Sequence, residues 1–320
     1  MSRKIKSWSP KYQLYTVRKP LSLRSRTLSW KPRSTTYQDS TQTENFIECM
    51  QRHVMSLPTI TSTWLQKEDC NIFLLGETHS TSKGVYEMFV SLLKDLPTRN
   101  VPRIDLMLEV TQESDLNFYT NRHLRSAALH FDILSKESGE LNKVRHLLSQ
   151  CSRTRDCELN VHWMDPNTMF KVFHLDKPCG AKGVNGADRL PRWIYELSKI
   201  PISKTAEFNH RIQDKLQSPD DLIKLLTEHC VVKKEIERAS KVHPQFTMDF
   251  AIPLFLEFIN KYSKYKLVWR AQLSLRAAID FYTAARIIKS RMKNVMVYGG
   301  NSHTSNIITI LSRLGFQVKH

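Results

Sequence analysis

Apolar positions along this chain follow two rhythms. Four short runs are apolar almost throughout, at residues 71–75, 104–109, 158–164 and 294–298. Runs of that length, closed by glycine or an acid, read as strands buried on both faces, the habit of a parallel sheet. Between them the apolar residues recur at helical spacing. Residues 44–55 form one such stretch, ending before Pro58, and 83–96 form another, with Val85, Met88, Phe89, Leu92, Leu93 and Leu96 on one face and Pro97 as the stop. Residues 115–150 read as two helices broken near Ser138-Gly139, 302–314 as a helix, and Phe316-Gln317-Val318 as a last strand. Strand, helix and strand over 71–109 make a βαβ unit, which implies parallel strands and a right-handed crossover. The region 189–290 is helical, mixed in charge and too large for one crossover. The expected fold class is therefore α/β, a mostly parallel sheet flanked by helices, with a large helical insertion at about 189–290 that could cap a crevice.

The ends of the four strands carry the chemistry. The first runs into Gly76-Glu77-Thr78-His79, the second stops at Glu109, the third at Asp165, and the fourth runs into Gly299-Gly300-Asn301-Ser302-His303. In an open parallel sheet, ligands bind in the crevice outside the carboxyl ends of the strands. Two imidazoles and three carboxylates there are the makings of a metal site or an acid–base site. Glu77 and His79, two apart in an extended turn, can point the same way. Alternatively, Glu77 satisfies loop amides and His79 caps the next helix. Asn301 or Ser302 can cap the helix that follows, which would place His303 in its first turn, where the positive dipole end favours the neutral imidazole. Glu109 is a third ligand candidate, and Asp165-Pro166-Asn167 is also a good turn former. On the last long helix, Asp280, Tyr282 and Arg286 stand among apolar neighbours. Tyr282 and Arg286 share a face, and Arg276 and Asp280 are spaced to pair; these residues either line the crevice or form an intrahelical bridge beside a half-buried tyrosine. The segment 176–188 holds three of the nine glycines and reads as a mobile loop.

Charge adds a second theme. The net charge is +17, yet residues 1–38 hold ten Lys/Arg and no acid, so the remainder carries only +7. Residues 1–43 read as a basic, disordered arm that cannot bury enough apolar surface to fold. The arm is a solvated tail, an electrostatic contact for nucleic acid or an acidic protein surface, or a mitochondrial transit segment. The rest, 44–320, is expected to be a single domain. No run is long enough to span a bilayer and the first residues lack the apolar core of a secretory signal, so the expected location is intracellular and cytoplasmic, or mitochondrial if the arm is a transit segment. Six cysteines without a Cys-x-x-Cys pair read as free thiols.

The Gly-Glu-Thr-His turn after the first strand, the strand-end Glu109 and the late Gly-Gly-Asn-Ser-His turn resemble, in that order over residues 68–320, the superfamily of erythromycin esterases, ChaN-type haem-uptake proteins and TraB/Tiki proteins. The resemblance implies an α/β sheet with a helical insertion. It makes Glu77, His79, Glu109 and His303 the catalytic or metal-binding set; the Asp280-Phe281-Tyr282…Arg286 helix just before the late turn also resembles the group, so Asp280, Tyr282 and Arg286 are supporting candidates, as is Asp165 from its own strand end. The activity it implies is hydrolysis of an unspecified small-molecule or peptide substrate, with water activated by a His/Glu site that holds a divalent metal or works without one. The alternatives are a haem- or metal-binding protein of the same fold, and an interaction protein that uses its basic arm. The arm has no counterpart in that group.

Overall fold

The computed structural model describes residues 40–54, 57, 60–77, 84–109, 139–151, 157–164, 207, 210, 223, 226–227, 230–261, 267–290 and 293–319. The arm up to residue 39, His79, Asp165, the first helix expected within 115–138, the glycine loop 176–188 and most of 189–229 lie outside the described residues. All described residues belong to one compact unit, 38–320.

The described elements run α1 (Ser40–His53), β1 (Ile60–Lys67), β2 (Cys70–Glu77), α2 (Val85–Thr98), β3 (Ile104–Leu108), α3 (Gly139–Cys151), β4 (Leu159–Trp163), α4 (Cys230–Ala239), α5 (Met248–Lys261), α6 (Leu267–Lys289), β5 (Asn294–Gly300), α7 (Asn301–Arg313) and β6 (Gln317–Lys319). They form a mixed α/β sheet of six strands in the order β4-β3-β5-β2-β1-β6. The block β4-β3-β5-β2 is parallel throughout, and β1 is antiparallel to both its neighbours. Two apolar layers cover the sheet. Along β2, Ile72 and Leu74 face the layer built with α4 to α7, whereas Phe73 and Leu75 face the layer built with α1, α2 and α3. This is the period-2 alternation of a strand. Because both faces are covered, β2 and β5 are buried nearly end to end, and this explains their unbroken apolar runs.

Four features differ from the sequence reading. β1 was not expected, because Ile60-Thr61-Ser62-Thr63-Trp64-Leu65-Gln66-Lys67 is mostly polar; it forms because it closes a tight hairpin with β2 through Glu68-Asp69 and stacks Trp64 on its register partner Phe73, ring centroids 5.6 Å apart. The β2–α2–β3 unit is parallel, but β5 lies between its two strands. Pro97 sits in the last turn of α2 and does not stop it, as a residue whose ring disturbs only the preceding turn. Finally, Cys151 and Cys157 are joined in a disulfide, which corrects the free-thiol reading for these two; α3 ends at one, β4 begins just after the other, and that return brings their Cα atoms to 5.5 Å, within bridging range. Cys49 and Cys70 are free. Of the helical insertion, α4, α5 and α6 are described, and no described helix is long and apolar enough to cross a membrane.

Candidate functional site

β2, β3 and β5 are parallel and finish level with one another, so their carboxyl ends deliver Glu77, Glu109 and Gly299-Gly300 to one edge of the sheet. α7 starts directly from β5, with Gly300 as its N-cap in extended conformation and no side-chain cap. Asn301 and Ser302 are therefore not the caps expected from sequence; Asn301 accepts a hydrogen bond from Thr61 Oγ1 at 2.5 Å. The amide of Gly300 instead donates to Glu109 Oε2 at 2.7 Å. A carboxylate here meets the positive end of the helix dipole.

His303 lies in the first turn of α7 and is 6 % exposed. Both of its ring nitrogens are held by acids: Nδ1 lies 2.5 Å from Asp280 Oδ1, and Nε2 lies 3.1 Å from Glu109 Oε1. Asp280 comes from α6, is 1 % exposed, and receives a further hydrogen bond from Asn306 Nδ2 at 2.7 Å. The result is a continuous Asn306–Asp280–His303–Glu109–Gly300 chain. Burial by itself would lower the imidazole's pKa, but the Asp280 and Glu109 charges outweigh it and hold His303 well above its ordinary value. The site thus favours the protonated ring, the opposite direction from that expected of its place at a helix start; two carboxylates in contact exceed a helix dipole of half a charge. Burial raises the pKa of Asp280 above the usual carboxylate range, with His303 pulling the other way.

Glu77 is 3 % exposed and accepts a hydrogen bond from Tyr298 Oη, a pairing the sequence did not suggest. Strand alternation turns Tyr298 toward the α1–α3 layer, against Phe89, while Asp280 and His303 come from helices on the α4–α7 side. The phenol's pKa is raised by burial, then by the charges of Glu77 and Glu109, so the two halves of the site feel each other electrostatically. Beneath the chain is a cavity of about 20 Å³ bordered by Met107, Glu109, Met164, Asp280, Thr283 and His303 among others. That is room for about one water molecule.

The remaining expected residues go elsewhere or fall outside the description. Arg286 donates to His162 Nδ1 at 2.8 Å, and His162 Nε2 meets Asp105 Oδ1 at 2.9 Å. Asp105 also binds Asn160 at 2.6 Å and the hydroxyl of Ser290. Burial opposes ionisation of Asp105, but the hydrogen bonds from His162, Ser290 and Asn160 prevail and lower its pKa. This network ties α6 to β3 and β4 and shares no residue with the Asp280–His303–Glu109 chain. Tyr282 packs against the α4–α7 layer, and Asp280 binds His303 and Asn306 where Arg276 was the expected partner. His79 and Asp165 lie outside the described residues. The sequence missed Asn306 and Tyr298. Asn306 had a usable signal, since it sits three residues after His303 on one helix face; Tyr298 reads as a core residue of an apolar run.

As placed, His303 and Glu109 are engaged with protein groups, while His79, the other imidazole of the expected metal set, lies outside the described residues. His303 Nδ1 is taken by Asp280 and Nε2 by Glu109 Oε1, and Glu109 Oε2 accepts from Gly300. Among the described residues, the group with three ligand atoms within 4.8 Å of one another that could hold a metal is Cys49, His53 and Asp95, between α1 and α2. Comparison of the chain with protein-family models, with curated proteins and with solved structures finds no match.

Gly299 of the late turn is required by contact. A Cβ on Gly299 would lie 2.7 Å from Glu109 Oε2 and 3.2 Å from Glu109 Cβ. Gly299→Ala is expected to dislodge Glu109 from Gly300 and lower stability by about 1–3 kcal/mol. Urea unfolding of this variant beside Ser302→Ala, at an exposed position, checks it; equal midpoints for the two would contradict the packing argument.

Proposed function

We propose that the chain is a hydrolase of the erythromycin esterase, ChaN and TraB/Tiki type whose acid–base apparatus is the Asp280–His303–Glu109 chain, working without a metal ion. The supporting observation is the 3.1 Å contact between His303 Nε2 and the strand-end carboxylate of Glu109 beside a cavity sized for water. Glu109 takes a proton from that water as its oxygen attacks the substrate carbonyl. His303 gives its Nε2 proton to the leaving group. The proton on Glu109 then returns to His303 across their hydrogen bond, and the pair is restored. Asp280 holds the ring and stabilises its charge, Asn306 fixes Asp280, and Glu77, held by the Tyr298 hydroxyl, adds a further carboxylate at the strand ends. The substrate class is an ester or amide of a small molecule or peptide.

The test is hydrolysis of a panel of aryl esters, lactones and short peptides by the purified chain, with and without a chelator, beside Glu109→Gln. Turnover that resists chelation and is lost in the variant is the expected result. Turnover abolished by the chelator and restored by a divalent metal would replace this mechanism with a metal-dependent one; no turnover on any substrate would remove the hydrolase reading. His79→Ala, run alongside, asks whether the Gly-Glu-Thr-His turn takes part.

The charge distribution carries a second reading, that residues 1–43 bind nucleic acid. Affinity for a duplex is then expected to fall steeply with salt, log K changing by roughly 0.9 per phosphate contact for each unit of log salt. Deleting 1–43 removes the binding and His79→Ala leaves it unchanged; binding that survives the deletion refutes it.

A further inference from the structure

The packing of α1 on α2 gathers three donors of different kinds. Cys49 and His53 stand one turn apart on α1, and Asp95 faces them from α2. Asp95 Oδ2 lies 2.9 Å from His53 Nε2 and 3.9 Å from Cys49 Sγ, and the three ligand atoms all fall within 4.8 Å of one another. A tetrahedral zinc-like ion, with bonds of about 2.0–2.3 Å, spaces its ligand atoms roughly 3.3–3.8 Å apart. The observed spacings bracket that value, so side-chain shifts of about half an ångström would complete the site with the backbone in place.

The surroundings suit an ion as well. Thr98 Oγ1 donates to Asp95 Oδ1 at 3.3 Å and Arg99 Nε to Oδ2 at 2.7 Å; hydrogen bonds of this kind orient a ligating carboxylate. The guanidinium opposes a second cation, but Arg99 also reaches Glu48 at 3.4 Å, an anchor it keeps when an ion takes Asp95 Oδ2. Cys49 is fully buried, whereas the side chains of His53 and Asp95 are 15 % and 22 % exposed. The ion's inner side is therefore closed by sulfur, and its outer side is open to solvent for a fourth ligand.

We propose that Cys49, His53 and Asp95 form a binding site for a zinc-like divalent ion that joins α1 to α2, with Thr98 as the outer partner of Asp95 and Arg99 held by Glu48. On binding, the thiol proton leaves to solvent and the ion takes its place between sulfur and carboxylate. The site lies outside the strand-end crevice and does not depend on hydrolysis.

Titration of the full chain, its Cys151–Cys157 disulfide intact, with Co²⁺ tests it. One equivalent is expected to produce a sulfur-to-cobalt charge-transfer band in the near ultraviolet together with tetrahedral d–d bands, and Zn²⁺ should bleach both. Cys49→Ser should remove the charge-transfer band, Cys70→Ser should leave the spectrum unchanged, and His53→Gln or Asp95→Asn should weaken Co²⁺ binding at least tenfold. No charge-transfer band at one equivalent, or one that survives Cys49→Ser, overturns the proposal. Should Cys49→Ser fail to fold, His53→Gln, at a partly exposed position, decides: unchanged cobalt affinity in that variant also overturns it.

Discussion

His303→Leu is expected to cost about 3–5 kcal/mol of folding stability, the scale for removing one partner of a buried ion pair. Asp280 is almost wholly buried and its chief counter-charge is His303. With leucine in place, Asp280 and Glu109 would face an apolar side chain across the space the ring had filled, and Asn306 alone would answer the Asp280 charge. Guanidinium unfolding measures the loss. The double variant His303→Leu/Asp280→Leu is expected to recover part of it, because two apolar groups leave no buried charge unpaired. A single-variant cost below about 1 kcal/mol would contradict a buried, charged His303.

The same residue sets a pH dependence whose sign follows from proton linkage. Folded His303 keeps its proton above the pH at which the unfolded chain, near the ordinary value of 6.5, gives it up. Its stabilisation is complete below that ordinary value and is lost as pH rises from there through the raised folded value. Unfolding free energy is therefore expected to fall from neutral into alkaline pH, and His303→Leu should lack that slope. The groups facing the ring from α6 and β3 are Asp280 and Glu109, and both are acids that push in this direction. Stability that rises over the same interval would refute the imidazolium.

Glu109→Gln is expected to lower kcat/KM for hydrolysis by about 10²–10⁴-fold, the usual contribution of a positioned general base. The amide has nearly the carboxylate's shape, and its oxygen can still accept from Gly300, so the domain should fold. It cannot take a proton from water, and it cannot return one to His303. Losing this negative neighbour also lowers the pKa of His303, so the alkaline limb of the residual rate should move to lower pH. A purely structural role for Glu109 would leave that limb in place. Full activity in Glu109→Gln would remove the residue from the mechanism.

Much of the fold was legible because the central strands are buried on both faces. Such strands must be apolar along their whole length, and the ends of β2, β3, β4 and β5 fell within about two residues of the expected ones. Their carboxyl ends could be read for the same reason: a polar residue that closes an apolar run emerges at the rim of the sheet. Thus Glu77, Glu109 and His303 stand out in the sequence alone. β1 did not, since an antiparallel strand outside the parallel block is only partly buried and can be built of threonine, serine and glutamine.

What the sequence by itself determined is the layered α/β architecture and the identity of the strand-end groups, since burial period and termination are local properties of the chain. Tertiary structure decided which of those groups meet. It placed β5 between β2 and β3, which sets Gly300 and His303 beside Glu109 across nearly two hundred residues of chain. It brought Asp280 from α6 to the far side of the same ring, and so raised the proton affinity of His303 against the local influence of its helix. The physical reason is range. Propensity and periodicity act over a few residues, whereas a proton affinity in a buried site answers to whichever charges the folded chain brings within a few ångströms.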